Sequence, residues 1–466
     1  MESCETRSSP STLSLDSLPD ELLIQVFGHL AVVGDVYEED DPLRLTSLPY
    51  QPADMQLLPP TGLRGYPFLA QVCKRWRRLL STPLTQQLVW RRLCVDLGHE
   101  LITSVHTPLR WSSTRPTSAE FAAALAATRL SANKVVRFLD SVSPHVTELA
   151  VANSEGFEAD DGEYVSLYDK HDFGPAHLGF GLALMRSRLT ELVLYRCNDL
   201  LQPEGGVWGL IGALQGLRSL TVEGLRGSLP AAQAAELGEL RQLEALVLSG
   251  EEYRPRTDWT AGLDALPAAW SQLTSLTKLV LRSHPQLPLL PPWLRGLTGL
   301  RHLDVSGCGE LRLEELAGLT QLHVLVLQVG RGGAAAAGAA APAAAGHGGA
   351  APTPARRVVP DLSPLAPSLR SLSLAANRFT ALPEWLPRMS RLEHLDVSYN
   401  KDLHILAPLT GLAALPHLRL LDFRAVHVTA DESYWGEAKC ATMQHLAKLA
   451  RALKRRCPQP RLLMDV

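Results

Sequence analysis

Hydrophobic and polar positions follow two different rhythms along this chain. Near the N-terminus the rhythm is helical. After Ser17-Leu18-Pro19-Asp20-Glu21, the residues Leu22, Leu23, Val26, Phe27 and Leu30 fall on one face of a helix. Ser17 is placed to cap it, Pro19 stands in the first turn where a missing N–H costs little, and Asp20 and Glu21 suit the positive end of the helix dipole. Phe68, Leu69, Val72, Cys73, Trp76, Leu79 and Leu80 make a second apolar stripe, with Lys74, Arg75, Arg77 and Arg78 on its polar side. From Val146 onward the spacing changes to short units of the form L-x-x-L-x-L, which predict strands with the leucines pointing to one side.

Ten such units share one template. They start at Val146, Leu189, Leu217, Leu243, Leu276, Leu300, Leu322, Leu369, Leu392 and Leu418. From Leu189 the starts are 22 to 33 residues apart, save one gap of 47. That gap holds the low-complexity stretch 330–354, rich in Ala and Gly; removing its 25 residues leaves a spacing of 22. The stretch predicts a disordered loop spliced into one repeat. Eight positions past the first leucine, four units carry Cys197, Cys308, Asn377 or Asn400, side chains able to bond backbone groups where the chain leaves the strand. The segment that follows must return along the convex side, as Leu382 to Met389 illustrates. One unit cannot bury its own leucines, so the units have to stack. Each leucine so buried contributes about 1.5–3 kcal/mol.

The remaining segments divide the chain. Residues 1–15 are polar and Ser-rich and predict disorder; 98–144 form a connector with helices over Thr117–Leu130 and Ser131–Asp140; the acidic stretch 153–173 predicts an exposed loop. At the end, Asp431–Arg456 predicts a helix, acidic early and basic late, and Leu462–Val466 a last strand, together capping the stack over 429–466. Net charge is −3, which gives no whole-chain case for nucleic acid. Seven scattered cysteines with no C-x-x-C argue for a reducing compartment and against a zinc or disulfide framework. With no signal-like N-terminus and no apolar run of bilayer length, the expectation is a cytoplasmic or nuclear protein with no membrane contact and no cofactor.

The chain has no phosphate-binding loop, zinc-protease motif or serine-hydrolase elbow. The residues between the leucines should instead line a concave surface. Tyr195, Arg196, Arg218, Arg282, Arg301, His302, Asp304, His323, Arg370, His394, Asp396, Arg419, Asp422 and Arg424 are the candidate contacts for a protein substrate. Mixed charge with several arginines suits protein recognition, whereas a nucleic-acid groove would interleave basic residues with aromatics.

The N-terminal pattern L-P-D-E-L-L-x-x-V-F-x-x-L, completed by V-C-K-R-W-R-R-L-L, resembles the F-box family over about residues 16–95. Leu84 to Leu93 looks like that family's closing helix, and Asp41 to Leu45 like its middle one. Between Leu30 and Phe68 lie 37 residues, more than the family usually has, so the F-box domain (16–97) would hold an insertion at about 31–66. The repeats, over 145–428, resemble leucine-rich repeat proteins. The implied architecture is α/β: a small helical F-box followed by a leucine-rich repeat solenoid. The implied role is that of a non-catalytic substrate receptor in a cullin-RING ubiquitin ligase of the SCF type, docked on a Skp-family adaptor. By that resemblance Leu18, Pro19, Leu22, Leu23, Val26, Phe27, Leu69, Val72, Cys73 and Trp76 supply the adaptor face, some of them packing internally. The alternative is a leucine-rich repeat scaffold in a stable cytoskeletal or axonemal complex, with a degenerate F-box.

Overall fold

The computed structural model of the chain describes residues 19–21, 23, 78–79, 82, 84, 87, 91–96, 139–140, 142–152, 175–201, 206–225, 228–250, 262–308, 312–328, 359–400, 403, 412, 415–424, 451 and 461–463. A single twelve-stranded parallel sheet runs through them. In chain order its strands are β1 (Arg92–Asp96), β2 (Glu148–Ala152), β3 (Glu191–Tyr195), β4 (Ser219–Leu225), β6 (Ala245–Gly250), β8 (Lys278–Arg282), β9 (His302–Asp304), β10 (Val324–Val326), β11 (Ser371–Ser373), β12 (His394–Asp396), β13 (Leu420–Asp422) and β14 (Arg461–Leu463). The two short strands β5 (Ser228–Leu229) and β7 (Gly262–Leu263) pair apart from it. Each strand of the main sheet neighbours the next in sequence, the ladder of a solenoid that adds one strand per repeat. All ten L-x-x-L-x-L units supply a strand.

The repeat fixes the register. The second leucine of every unit lies in one column, with Leu149, Leu192, Leu220, Leu246, Leu279, Leu303, Leu325, Leu372, Leu395 and Leu421 paired neighbour to neighbour. From Leu192 to Leu421 every member is fully buried. A slip of one residue would turn this column outward, so the pairing tolerates no alternative. The pairing Leu325–Leu372 holds across the 330–354 stretch, so the repeat register is the same on both sides of it.

Return segments close the core behind the leucines. Three are short α-helices, α1 (Pro175–Met185), α2 (Val207–Gly212) and α3 (Ala231–Glu236); farther along the chain single 3-10 turns take over, among them Ala268–Gln272, Pro292–Gly296, Glu314–Gly318 and Leu386–Arg388. Trp208 and Trp270 fill this layer, their indole N–H groups donating to the Leu201 and Ala234 carbonyls at 3.1 and 2.7 Å. A buried indole without such a partner would cost stability.

One element departs from the sequence reading. The closing helix expected over Leu84–Leu93 gives way at Arg92 to β1, which pairs with β2. Leu93 enters the leucine column beside Leu149 and is fully buried. The R-L-C-V-D alternation covers the edge amides that β2 would otherwise leave open. Arg91 and Arg92 then clamp Glu148 at 2.9 and 3.3 Å. The sheet therefore starts inside the segment assigned to the F-box. At its far end, β14 stands where the sequence places a last strand. The middle helix at 41–45, the helix over 117–130, the acidic stretch, the low-complexity stretch and the C-terminal helix, apart from Arg451, lie outside the described residues.

Candidate functional site: the concave face

Residues between the leucines fall in rows across the concave side of the sheet. The first row runs Glu191, Ser219, Ala245, Lys278, His302, Val324, Ser371, His394, Leu420. The second, two residues on, runs Val193, Thr221, Val247, Val280, Asp304, Val326, Ser373, Asp396, Asp422. This second row is mostly apolar up to β8 and carries acids from β9 onward. A further line of residues precedes each strand, at the sheet's leading edge. Arg218, Arg301, Arg370 and Arg419 stand there, exposed. Arg218 meets Glu244 at 2.9 Å, and Arg370 and Arg419 share Glu393 at 3.7 and 3.5 Å. Such exposed pairs contribute at most about 1 kcal/mol each. His323 lies on the same line and its ring Nδ1 donates to the Gln321 carbonyl at 2.7 Å.

The three aspartates are not open contacts. Asp304, Asp396 and Asp422 are buried, and each accepts the backbone N–H two residues on, from Ser306, Ser398 and Arg424. They hold the turn by which the chain leaves the strand, and that task removes them from an accessible surface. Arg282 reaches Asp304 from β8 at 2.6 Å, and Arg424 grips Asp422 through Nε and Nη2 at 3.1 and 2.7 Å. Burial alone would raise the pKa of Asp304, but the Arg282 guanidinium and the Ser306 hydrogen bonds outweigh it and hold the carboxyl below its ordinary range. Asp396 goes the other way. Burial, with the neighbouring Asp422 charge, lifts it to about 6, and its bonds from Ser398 and Ser373 offset this only in part. Tyr195 is also buried, with the Arg196 guanidinium 5.4 Å from its ring centre. His302 and His394 are both lowered by burial, His302 to about 4 despite the pull of Asp304. The buried Nε2 of His302 has no partner. Among the described residues, no three His, Cys, Asp or Glu side chains gather as a metal site would need.

Behind the face, a ladder of side chains joins each turn to the unit before it. Cys197 and Cys308 donate to the Val151 and Leu281 carbonyls at 3.2 and 3.1 Å. Asn377 and Asn400 donate to Leu327 and Leu374 at 2.5 and 2.9 Å. A fifth rung escaped the sequence reading. His284 is fully buried, with Nε2 3.0 Å from the Leu248 carbonyl and Nδ1 accepting from the Leu263 N–H at 3.2 Å. These contacts need the neutral ring, protonated on Nε2, and burial lowers its pKa to about 4. The signal was its place, eight residues after Leu276, where the other rungs stand. Gly262 makes room for the ring: its φ is 94°, and a Cβ there would lie 1.9 Å from Nδ1.

Of the residues assigned to an adaptor face, Pro19 is exposed and Leu23 is fully buried. Leu23 and Leu79 join the buried cluster that includes Leu93, Leu139 and Val142. The other eight, Leu18, Leu22, Val26, Phe27, Leu69, Val72, Cys73 and Trp76, lie outside the described residues.

No protein-family model matches this chain, and no curated protein does. Among solved structures, a leucine-rich repeat protein of Leptospira interrogans is 16% identical, covers 78% of this chain and 85% of its own, and has a TM-score of 0.39. The leucine-rich repeat ectodomain of the plant membrane receptor kinase GASSHO1/SCHENGEN3 from Arabidopsis thaliana is 19% identical over 53% of this chain and 26% of its own, with a TM-score of 0.30. The fold assignment rests on the chain's own geometry instead. Ten units in one register, a leucine column and a side-chain ladder make a leucine-rich-repeat-type solenoid, whose stacked strands form an extended concave face.

Proposed function

We propose that this chain is a non-catalytic substrate receptor: its concave face holds a protein, and its N-terminal helices dock a Skp-family adaptor of a cullin-RING ubiquitin ligase. The observation behind the first half is the sheet itself, which offers a continuous, charge-bearing face over β3–β13. The second half rests on the L-P-D-E-L-L-x-x-V-F and V-C-K-R-W-R-R-L-L sequences and the family resemblance they carry. The receptor's contribution would be proximity, keeping a substrate lysine near a charged ubiquitin-conjugating enzyme. Burial of Leu23 and Leu79 in the core favours a second reading, in which the N-terminal helices serve only to cap the solenoid of a scaffold.

Binding of the purified full chain to a Skp-family adaptor separates the two. A complex made by the parent and lost in a still-folded Leu22→Arg, Trp76→Ala variant supports the receptor. A folded parent that makes no complex leaves the scaffold.

A further inference from the structure

The buried acids of the concave floor differ in one respect. Asp304 has a guanidinium from the preceding strand, Arg282, two residues past its register partner Val280. Asp422 has one from its own repeat, Arg424, two residues on and just past the end of β13. Around Asp396 both of these positions hold small side chains. Two residues past its register partner Ser373 stands Ala375, and two residues on in its own repeat stands Ser398. Its carboxylate accepts hydrogen bonds from neutral donors, the Ser373 hydroxyl at 3.0 Å and the Ser398 N–H at 2.9 Å. Asp422, its partner in register on β13, adds like charge, and Arg424 spends its hydrogen bonds on Asp422. One step away on the same face, Ser371 is only 4% exposed and its hydroxyl has no partner. Asp396 and Asp422 thus share the one Arg424 guanidinium, whose hydrogen bonds all go to Asp422, and a buried carboxylate without a counter-ion of its own is costly.

We propose that the bound protein supplies a second cation for this pair of acids, a lysine or arginine side chain that docks on Asp396 over β11–β13 with the Ser371 hydroxyl beside it. This rests on the concave face being the binding face and adds the chemistry of the partner. Ammonium and guanidinium groups have donors only, and a carboxylate that lacks a hydrogen-bonded counter-ion of its own is their complement. The partner's cation takes the part that Arg282 plays for Asp304. Asp396 is covered in the free chain, so docking parts the side chains above it, while half-buried Arg424 stays on Asp422 and the pair of acids gains a second cation.

The test uses the full chain and a fluorescein-labelled oligolysine peptide carrying a benzophenone. Fluorescence anisotropy gives affinity, and peptide mapping of the photo-cross-links gives the place. The parent is expected to bind with cross-links on β11–β13. Asp396→Asn should weaken binding at least about tenfold while remaining folded, and Glu314→Gln, an exposed acid on a return segment, should change nothing. No binding by the parent, equal affinity in Asp396→Asn, or an equal loss in Glu314→Gln overturns the proposal. Cross-links that stay on β11–β13 in Asp396→Asn at unchanged affinity remove the cation anchor and keep the concave face. Cross-links confined to the return segments remove the concave-face reading itself.

Discussion

Acid should weaken this solenoid at one identifiable rung. His284 is buried as the neutral ring, between a carbonyl that needs its Nε2 proton and an N–H that needs its Nδ1 lone pair. Protonation would put a second proton against the Leu263 N–H in a fully buried site. In the unfolded chain the imidazole protonates at its ordinary 6.5, whereas in the fold it does so only at about 4. Because the folded value is the lower one, this stabilising contribution is complete above pH 6.5 and is lost as the pH falls toward 4. A gap of roughly 2.5 units at 1.36 kcal/mol each amounts to about 3 kcal/mol. His284→Asn puts the residue of the Asn377 and Asn400 rungs in this place, and it cannot titrate. At pH 7 the variant should be less stable by about 1 kcal/mol, through lost ring volume. The order should reverse below about pH 5.5, where the parent has lost more than that. Urea midpoints of both proteins from pH 7 to about pH 4.5 measure this directly, and an NMR titration of the imidazole measures its cause. Midpoints that fall in parallel, or a His284 ring that titrates near 6.5, would refute the reasoning.

Two further outcomes follow from the same geometry. Asn400→Ala strips the Leu374, Val397 and Ser398 carbonyls of a donor and the Asn377 and Phe379 N–H groups of an acceptor. It should cost roughly 3 kcal/mol by urea unfolding, and an unchanged midpoint would contradict the ladder. Asp396→Asn should act the opposite way at neutral pH. The folded pKa of Asp396 is raised from 3.8 to about 6, so its penalty appears as pH rises through that window and is full above it. The carboxamide should therefore gain roughly 1–3 kcal/mol at pH 7 and nothing near pH 4, and a variant less stable than the parent at pH 7 would show that the charge is compensated after all.

The repeats were legible because their signal is local. Apolar residues at the first, fourth and sixth positions, with leucine at the fourth in every unit, declare the strand, its inward face and its register at once. The low-complexity stretch 330–354 stands out from the repeats because the spacing on either side of it is regular. Strand β1 was misread for the same reason: Trp90 to Val95 follows a helix-like stretch, and a lone R-L-C-V-D carries too few turns of either period to decide. What decided it was the open edge of β2, which is 56 residues away along the chain in the pairing of Arg92 with Glu148.

The sequence by itself therefore determined the ten repeat strands, their order, the leucine column and four of the five ladder rungs, since each follows from residue types at fixed short spacings. Only the tertiary structure decided what became of the polar positions between them. Asp304, Asp396 and Asp422 occupy one place in the repeat and look alike in sequence. Their surroundings differ because the neighbouring position is Arg282 in one case, Ala375 in another, and Arg424 in the same repeat in the third. His284 likewise owes its neutral ring to the Leu248 carbonyl and the Leu263 N–H, set against it by adjacent turns. A period in the chain tells which side chains point the same way. Burial, charge and protonation depend on which neighbour the next turn brings alongside, and that is set only when the turns stack.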